Sequence, residues 1–314
     1  MMNKILSCDW GTTSFRLRLI DVDTAKVLHE IKSFDGVNAI HDKWLATKKN
    51  ESVRLNFYRN FIQSQIEKLN VDVSDVTIII SGMASSTIGM KELTYAKLPF
   101  KLSVVNLNIE KFEADNFCKN DILLVSGLQT GVDVMRGEET LLLGCDIKND
   151  VLVIFPGTHS KHVVVKNKTV IDFKTYMTGE FFNLLSTQSL LAKSVSTNNE
   201  AHEDAFIKGV KDGAANNVLN AAFHVRTNQL FQQFSSAENY HYLSGLLIGN
   251  ELSELLKSNQ RNIVLICADN LLNQYTSALN IINQNQFNIQ IVNADDALIK
   301  AHIYLYSHYR KTTL

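Results

Sequence analysis

The sequence predicts an α/β protein built from two similar domains, and three observations carry that prediction. The first is a strand, a tight polar turn and a second strand over residues 7–18. Ile5, Leu6 and Cys8 form a short apolar run, and Phe15, Leu17 and Leu19 alternate with Arg16 and Arg18. The second is a copy of this pattern: an apolar strand over 150–156 leads into Gly157, Thr158, His159 and Ser160 and then into a strand over 161–165. The third is a set of solid apolar strands at 76–80, 122–126 and 262–267, the kind buried in a sheet covered on both faces. Gly157 lies 146 residues after Gly11, which marks an internal duplication of one fold rather than a tandem array. The boundary is expected near residue 150, giving domains over 1–150 and 151–314.

Bulk properties narrow the class. A chain of 314 residues is long enough for two domains with their own cores, and 45% hydrophobic with 20% charged residues is an ordinary globular composition. Thirty-one basic residues against thirty-two acidic ones give no net field to recruit nucleic acid or an anionic membrane. Neither is expected as a partner, and an anionic substrate needs a local cluster. No signal peptide is expected before the first strand, and no apolar run approaches the roughly 18 residues of a membrane span. Cys8, Cys118, Cys145 and Cys267 are scattered without metal-type spacing, so reduced thiols and a cytoplasmic location are expected.

The two turns are where chemistry is expected. Gly11 lets the backbone approach a ligand, while Thr12, Thr13 and Ser14 offer hydroxyls and N–H groups that can cradle phosphate oxygens. Asp9, at the mouth of the turn, can hold Mg²⁺ through water. One such turn is equally an ordinary hairpin; two, one in each half, suit a nucleotide clamp between similar domains. Along the chain, residues 26–37 read as a third strand and 41–69 as helices, with Val53, Phe57, Phe61 and Ile62 among the periodic apolar positions. The strand at 76–80 delivers Ser81, Gly82 and Met83 at its carboxyl end, where open α/β sheets place ligands.

Beyond the strand at 122–126, Arg136 precedes Glu138 and Glu139 at the start of a helix. Acidic residues favour a first helical turn through the macrodipole, but this group also offers a base and an arginine able to grip a carboxylate bidentately. A helix is expected from Thr178 to about Leu191. In the polar helical stretch 193–238 and just after it, His202, His224 and His241 stand isolated and read as solvated or capping. Residues 240–256 read as an amphipathic helix whose Gly245 and Gly249 let it approach either a nucleotide or a neighbouring helix. A strand at 289–292 and a helix at 295–306 close the chain, and residues 305–314 either pack back across the domain junction or fray.

Asp9-Trp10-Gly11-Thr12-Thr13-Ser14-Phe15-Arg16 resembles the first phosphate motif of the sugar kinase, actin and chaperone ATPase superfamily. Ser81-Gly82-Met83, the run from Asp133 to Thr140, the run from Pro156 to Lys161, Tyr176-Met177-Thr178-Gly179-Glu180 and the run from Ser244 to Gly249 resemble, in order, the 2-dehydro-3-deoxygalactonokinase family. The resemblance implies two ribonuclease-H-like (actin-like ATPase) domains with an interdomain cleft, the first on the sugar-acid side and the second on the nucleotide side. It implies transfer of the ATP γ-phosphoryl group, with Mg²⁺, to the terminal hydroxyl of 2-dehydro-3-deoxy-D-galactonate in galactonate breakdown.

By the same resemblance, Gly11, Thr12, Thr13, Arg16, Gly157, Thr158, His159, Ser160 and Lys161 serve the phosphates. Asp9 serves the metal, and Ser81, Gly82, Met83, Arg136 and Glu180 serve the sugar acid. Lys161 either offsets developing charge or is a solvated lysine at a strand start. Related sugar kinases place an Asp at the start of the helix before the second turn; here Glu138 stands there as the base, with Asp133 as runner-up. The glycines that superfamily kinases often carry at the adenosine turn are absent from Ala268-Asp269-Asn270. A kinase of another sugar acid or ketose, and a non-catalytic sensor of sugar and nucleotide, are the other readings. A sensor is expected to carry a DNA-binding segment, and none is visible; a homo-oligomer is compatible with this sequence.

Overall fold

Alternating side chains decide how the first sheet is layered in the computed structural model, which describes residues 3–47, 50–197, 200–258, 260–283 and 286–313. β1 (Lys4–Trp10), β2 (Phe15–Asp21) and β3 (Val27–Ser33) form an antiparallel meander. Cys8, Trp10, Phe15 and Leu17 share a core with Val37 and Ile40 of α1 (Val37–Ala46) and with Tyr58 and Ile62 of α2 (Arg54–Glu67). Trp10 is central to it, with Phe15 edge-on at 5.1 Å and Phe61 stacked at 5.4 Å. Full burial of large apolar side chains like these contributes about 1.5–3 kcal/mol each. β4 (Ile78–Gly82) joins β1 in parallel, and β5 (Ile109–Phe112) and β6 (Ile122–Val125) complete the sheet in the order β3-β2-β1-β4-β6-β5. The six-residue α3 (Glu138–Leu143) follows.

The expected third strand over 26–37 stops at Ser33. Gly36 is the reason: a Cβ there would lie 2.4 Å from the backbone of Thr12 and Thr13, so the chain must lean onto the first turn. Val37 and Asn38 then donate their N–H groups to the carbonyls of Gly11 and Thr12, which starts α1 instead.

The second sheet repeats the first. β7 (Val151–Phe155), β8 (Ser160–Lys166), β9 (Thr169–Tyr176), β10 (Asn262–Cys267) and β11 (Asn288–Asn293) lie in the order β9-β8-β7-β10-β11, matching β3-β2-β1-β4-β6. The shared senses are antiparallel for the hairpin and parallel for the two strands beyond it. α4 (Thr178–Thr187), α5 (Glu203–Ala215), α6 (Val218–Ala221), α7 (His224–Leu230), α8 (Ser236–Leu252) and α9 (Asp269–Asn283) complete this part.

α8 begins earlier than expected because Ser235 and Glu238 form a reciprocal capping box. It is also not amphipathic, since buried residues recur from Asn239 to Leu252 on nearly every side. Its small residues serve a neighbouring helix. A Cβ on Gly245 would stand 2.3 Å from the Phe206 carbonyl and one on Gly249 2.2 Å from that of Val210, while Gly209 and Gly213 of α5 stand just as close to α8.

The chain ends in α10 (Ala294–Thr313). The contacts group Met1–Ile147, Lys168–Asp172 and Ala294–Leu314 into one unit and Lys148–Asn167 with Phe173–Asn293 into a second. This differs from a single cut near residue 150, because α10 packs against α3 and β1 within the first unit. Gly144 permits that packing, as a Cβ there would meet the Ala297 carbonyl at 1.8 Å. Among the described residues no helix is long and apolar enough to cross a membrane.

Candidate active site

In the first unit, the strand positions that read as polar are covered by α10. Asp9 pairs in register with Arg16 on one side and Ser81 on the other. Asp295 of α10 binds both Arg16 and Arg18, and Arg18, only 4% exposed, also reaches Glu30 at 3.3 Å. Arg16, expected on a phosphate, is therefore drawn to Asp295. His302, fully buried, bridges the hydroxyls of Ser7 (Nδ1, 2.7 Å) and Ser81 (Nε2, 3.0 Å). Burial, helped by the Arg18 charge, pushes its pKa down to about 3, so the ring is a neutral spacer that fixes Ser81. Neither Asp295 nor His302 was picked out from the sequence; the only signal is a polar side chain set among Ala297, Leu298, Ala301 and Leu305 of a helix.

Two glycines bring three segments together. Gly82 (φ +89°) lies so close to β1 that a Cβ would be 2.8 Å from the Trp10 carbonyl, and Gly137 (φ +111°) places its Cβ position 3.6 Å from Gly82 Cα. Met83 packs onto the core of α1 and α2. Arg136 donates from Nη1 to the carbonyl and hydroxyl of Ser85, both at 2.6 Å, and lies 4.2 Å over the Tyr95 ring. Glu138 Oε2 accepts the Arg136 N–H at 3.0 Å. Glu139, buried behind it, accepts the Gly137 N–H at 2.8 and 3.0 Å and the Thr140 hydroxyl at 2.9 Å. Burial first, then the Glu138 charge, push Glu139 up to about 8.

Asp9 shares this neighbourhood. Burial raises its pKa, Arg16 and Arg18 oppose the rise, and Asp295 and Glu138 add to it. Asp133, by contrast, sits in the turn before the short strand Val134–Met135, its N–H on Thr130 Oγ1 at 2.8 Å and its Oδ1 taking the Val134 N–H at 2.7 Å. Among the described residues no group of three His, Cys, Asp or Glu side chains could hold a metal. One desolvated carboxylate crowded by others does suit a hydrated divalent cation, which would relieve the repulsion. At the first turn the Gly11 N–H donates to the Ser14 carbonyl at 2.9 Å, and Thr12 and Thr13 are exposed.

The second unit holds the matching turn. The Gly157 N–H meets Ser160 Oγ at 3.2 Å, and Thr158 and His159 are exposed. Lys161 is not a solvated lysine: it is 5% exposed, with Nζ on the His159 carbonyl at 2.9 Å. Gly179 lets α4 start against this turn, since a Cβ would come 2.8 Å from the Gly157 carbonyl, and the Glu180 N–H donates to Thr158 O. The Glu180 carboxylate binds His159, so the structure places this expected substrate residue on the second turn. Beneath lies a buried network that sequence reading missed. Ser160 meets Tyr275 at 2.9 Å, Tyr275 donates to Glu251 at 2.7 Å, and Glu251 also takes Thr178 and His162. It holds the turn from below.

A cavity of about 280 Å³ opens beside Gly157, walled by Phe182, Leu247, Ile248 and Leu271 and reached by Gln274. His241 lines it too and touches the His202 ring, so these two histidines are not isolated.

Duplicated sheets, each with a polar turn after its first strand, define the fold of the sugar kinase, actin and chaperone ATPase superfamily. A solved activator of 2-hydroxyisocaproyl-CoA dehydratase from Clostridium difficile, with ADPNP bound, shares this fold at a TM-score of 0.50 and 11% identity over 99% of this chain and 97% of its own. The chain belongs to the 2-keto-3-deoxy-galactonokinase family, whose model matches residues 9–303. It is 32% identical to a protein of Rhizobium meliloti provisionally named 2-dehydro-3-deoxygalactonokinase, over 92% of each chain. It is 28% identical to the 2-dehydro-3-deoxygalactonokinase of Escherichia coli, over 88% of this chain and 90% of that one. A solved structure from Sinorhizobium meliloti, provisionally named the same, matches with a TM-score of 0.80 and 28% identity, over 97% of this chain and 98% of its own. By family the chain is a sugar-acid kinase.

Proposed function

We propose that this protein transfers the γ-phosphoryl group of ATP to the terminal hydroxyl of 2-dehydro-3-deoxy-D-galactonate, with the sugar acid on the first unit and the nucleotide on the second. The observation that carries the assignment of roles is the contact of Gly82 with Gly137, which sets Asp9, Ser81, Arg136 and Glu138 in one place. Arg136 binds the substrate carboxylate: Ser85 and Tyr95 fix the guanidinium, and bidentate pairing is what that group does best. Ser81, oriented by His302, takes a substrate hydroxyl. Glu138 accepts the proton of the attacking hydroxyl; it stands electrostatically beside Asp9, whereas Asp133 is tied into a hairpin turn. In the second unit the backbone of the Gly157–Ser160 turn and the Thr158 hydroxyl, with Lys161 and His159, receive the phosphates, while the buried Ser160 hydroxyl holds the turn in shape.

Asp9 holds Mg²⁺, and that cation, when bound, neutralises phosphate charge as it develops. Phosphoryl transfer asks little covalent work of a protein, so these positions supply catalysis by orientation and electrostatics. A coupled ADP-release assay over a panel of sugar acids tests the proposal. Turnover is expected with 2-dehydro-3-deoxygalactonate above the other acids, and ADP release with none of them would sink it.

A further inference from the structure

The cavity of the second unit carries an unused hydrogen-bonding group. Its walls are mainly apolar with Thr178, His241 and Ser244 among them, its volume is near the low end of small-molecule pockets, and one end is the Gly157 turn assigned to the phosphates. A ligand anchored there by phosphate would lay an apolar, flat group between Phe182, Leu247, Ile248 and Leu271. Gln274 borders the same cavity from α9, and its Oε1 is buried with no hydrogen-bond partner. Of the two ends of its amide, the acceptor is the one buried without a partner. A buried acceptor without a donor is a standing cost to the free protein, which a bound ligand carrying an N–H removes.

We infer that Gln274 is a specificity-determining residue for the nucleotide, selecting a 6-amino purine over a 6-oxo purine by accepting a hydrogen bond from the exocyclic amine. This rests on the assignment of the second unit to the nucleotide. The amine of adenine offers the donor that Oε1 lacks. The carbonyl at the same position of hypoxanthine or guanine would set oxygen against oxygen and leave both unpaired, and such mismatches discriminate far more strongly than a missing methylene. The neighbouring Tyr275 hydroxyl does not serve, because it is spent on Glu251.

Binding of ADP and of inosine diphosphate to the whole enzyme, measured by calorimetry without any sugar acid, is the test. The wild-type protein is expected to bind ADP at least about 10-fold more tightly. Gln274→Met keeps the volume and removes the acceptor. It should bring the two affinities to within about 3-fold, mainly by weakening ADP, while the thermal midpoint stays level or rises because no native hydrogen bond is lost. Equal binding of the two nucleotides by wild type overturns the inference, as does an unchanged preference in Gln274→Met. Failure of both to bind overturns the inference and the nucleotide assignment together. A preference lost in the variant, in a protein that phosphorylates no sugar acid, upholds the inference and removes only the assigned reaction.

Discussion

Gly82 and Gly137 meet backbone to backbone, the Cβ direction of Gly137 pointing at Gly82 Cα from 3.6 Å, and both take positive φ. A Cβ at Gly82 would press on the Trp10 carbonyl at 2.8 Å, while one at Gly137 would meet Gly82 at ordinary contact distance, so there only the backbone angle demands glycine. Gly82→Ala adds a clash with the Trp10 carbonyl to an unfavourable backbone, whereas Gly137→Ala adds strain alone. Gly82→Ala is expected to cost more than the roughly 1–3 kcal/mol of backbone strain, and Gly137→Ala about that amount. Urea unfolding ranks them, and the reverse order would mean the contact is not as tight as described.

Asp9 lies in a place that disfavours its charge, raised by burial and by Asp295 and Glu138. Asp9→Asn should therefore leave stability at neutral pH unchanged or higher. Turnover should still fall by orders of magnitude through loss of metal placement. Thermal melts and steady-state rates on one preparation check both halves; near-normal turnover removes Asp9 from the mechanism.

Glu138→Gln keeps the shape but cannot take a proton, so turnover should fall by about 10²–10⁴-fold with substrate affinity little changed. Asp133→Asn, in its hairpin turn, should be much milder. The opposite ranking moves the base to Asp133.

Arg136→Ala should mostly raise the Michaelis constant for the sugar acid, by the equivalent of about 2–5 kcal/mol for breaking a buried charge pair. Unchanged binding of the acid would make Arg136 a structural tie between Ser85 and Tyr95.

Glu139 and His302 give opposite pH dependences. Glu139 rises from 4.5 to about 8 on folding, so its contribution is complete below about pH 4.5 and is lost as pH climbs through 8. His302 falls from 6.5 to about 3, so stability is lost as pH drops from about 6.5 toward 3. Between pH 4.5 and 6.5 the two slopes oppose one another. Above pH 6.5 the His302 slope fades as the unfolded ring loses its proton and Glu139 dominates, with at most about 1.4 kcal/mol lost per pH unit. Glu139→Gln should flatten that alkaline fall, which denaturant midpoints at pH 6.5 and 8 would show; an identical fall in the variant would place its cause elsewhere.

Much of the fold was legible because it rests on local pattern. Alternation in β1 and β2, solid apolar runs in β4, β7 and β10, and polar turns after β1 and β7 announced the duplicated sheets. The third strand ran too far in the reading because no local rule announces that Gly36 must lean on Thr12 and Thr13. α8 read as amphipathic because its glycines and polar residues resemble a solvent face until α5 is packed against them.

The sequence by itself determined the family, the duplicated strand-turn-strand pattern and the two turns, since period, turn chemistry and motif are properties of neighbouring residues. Only the tertiary structure decided which polar side chains work together. Asp295 reaches Arg16 across 279 positions, His302 reaches Ser81 across 221, and Ser160 meets Tyr275 across 115. A chain written in one dimension carries no signal for such pairs. Their cost when unpaired, and so their choice of partner, exists only once burial has removed water from around them.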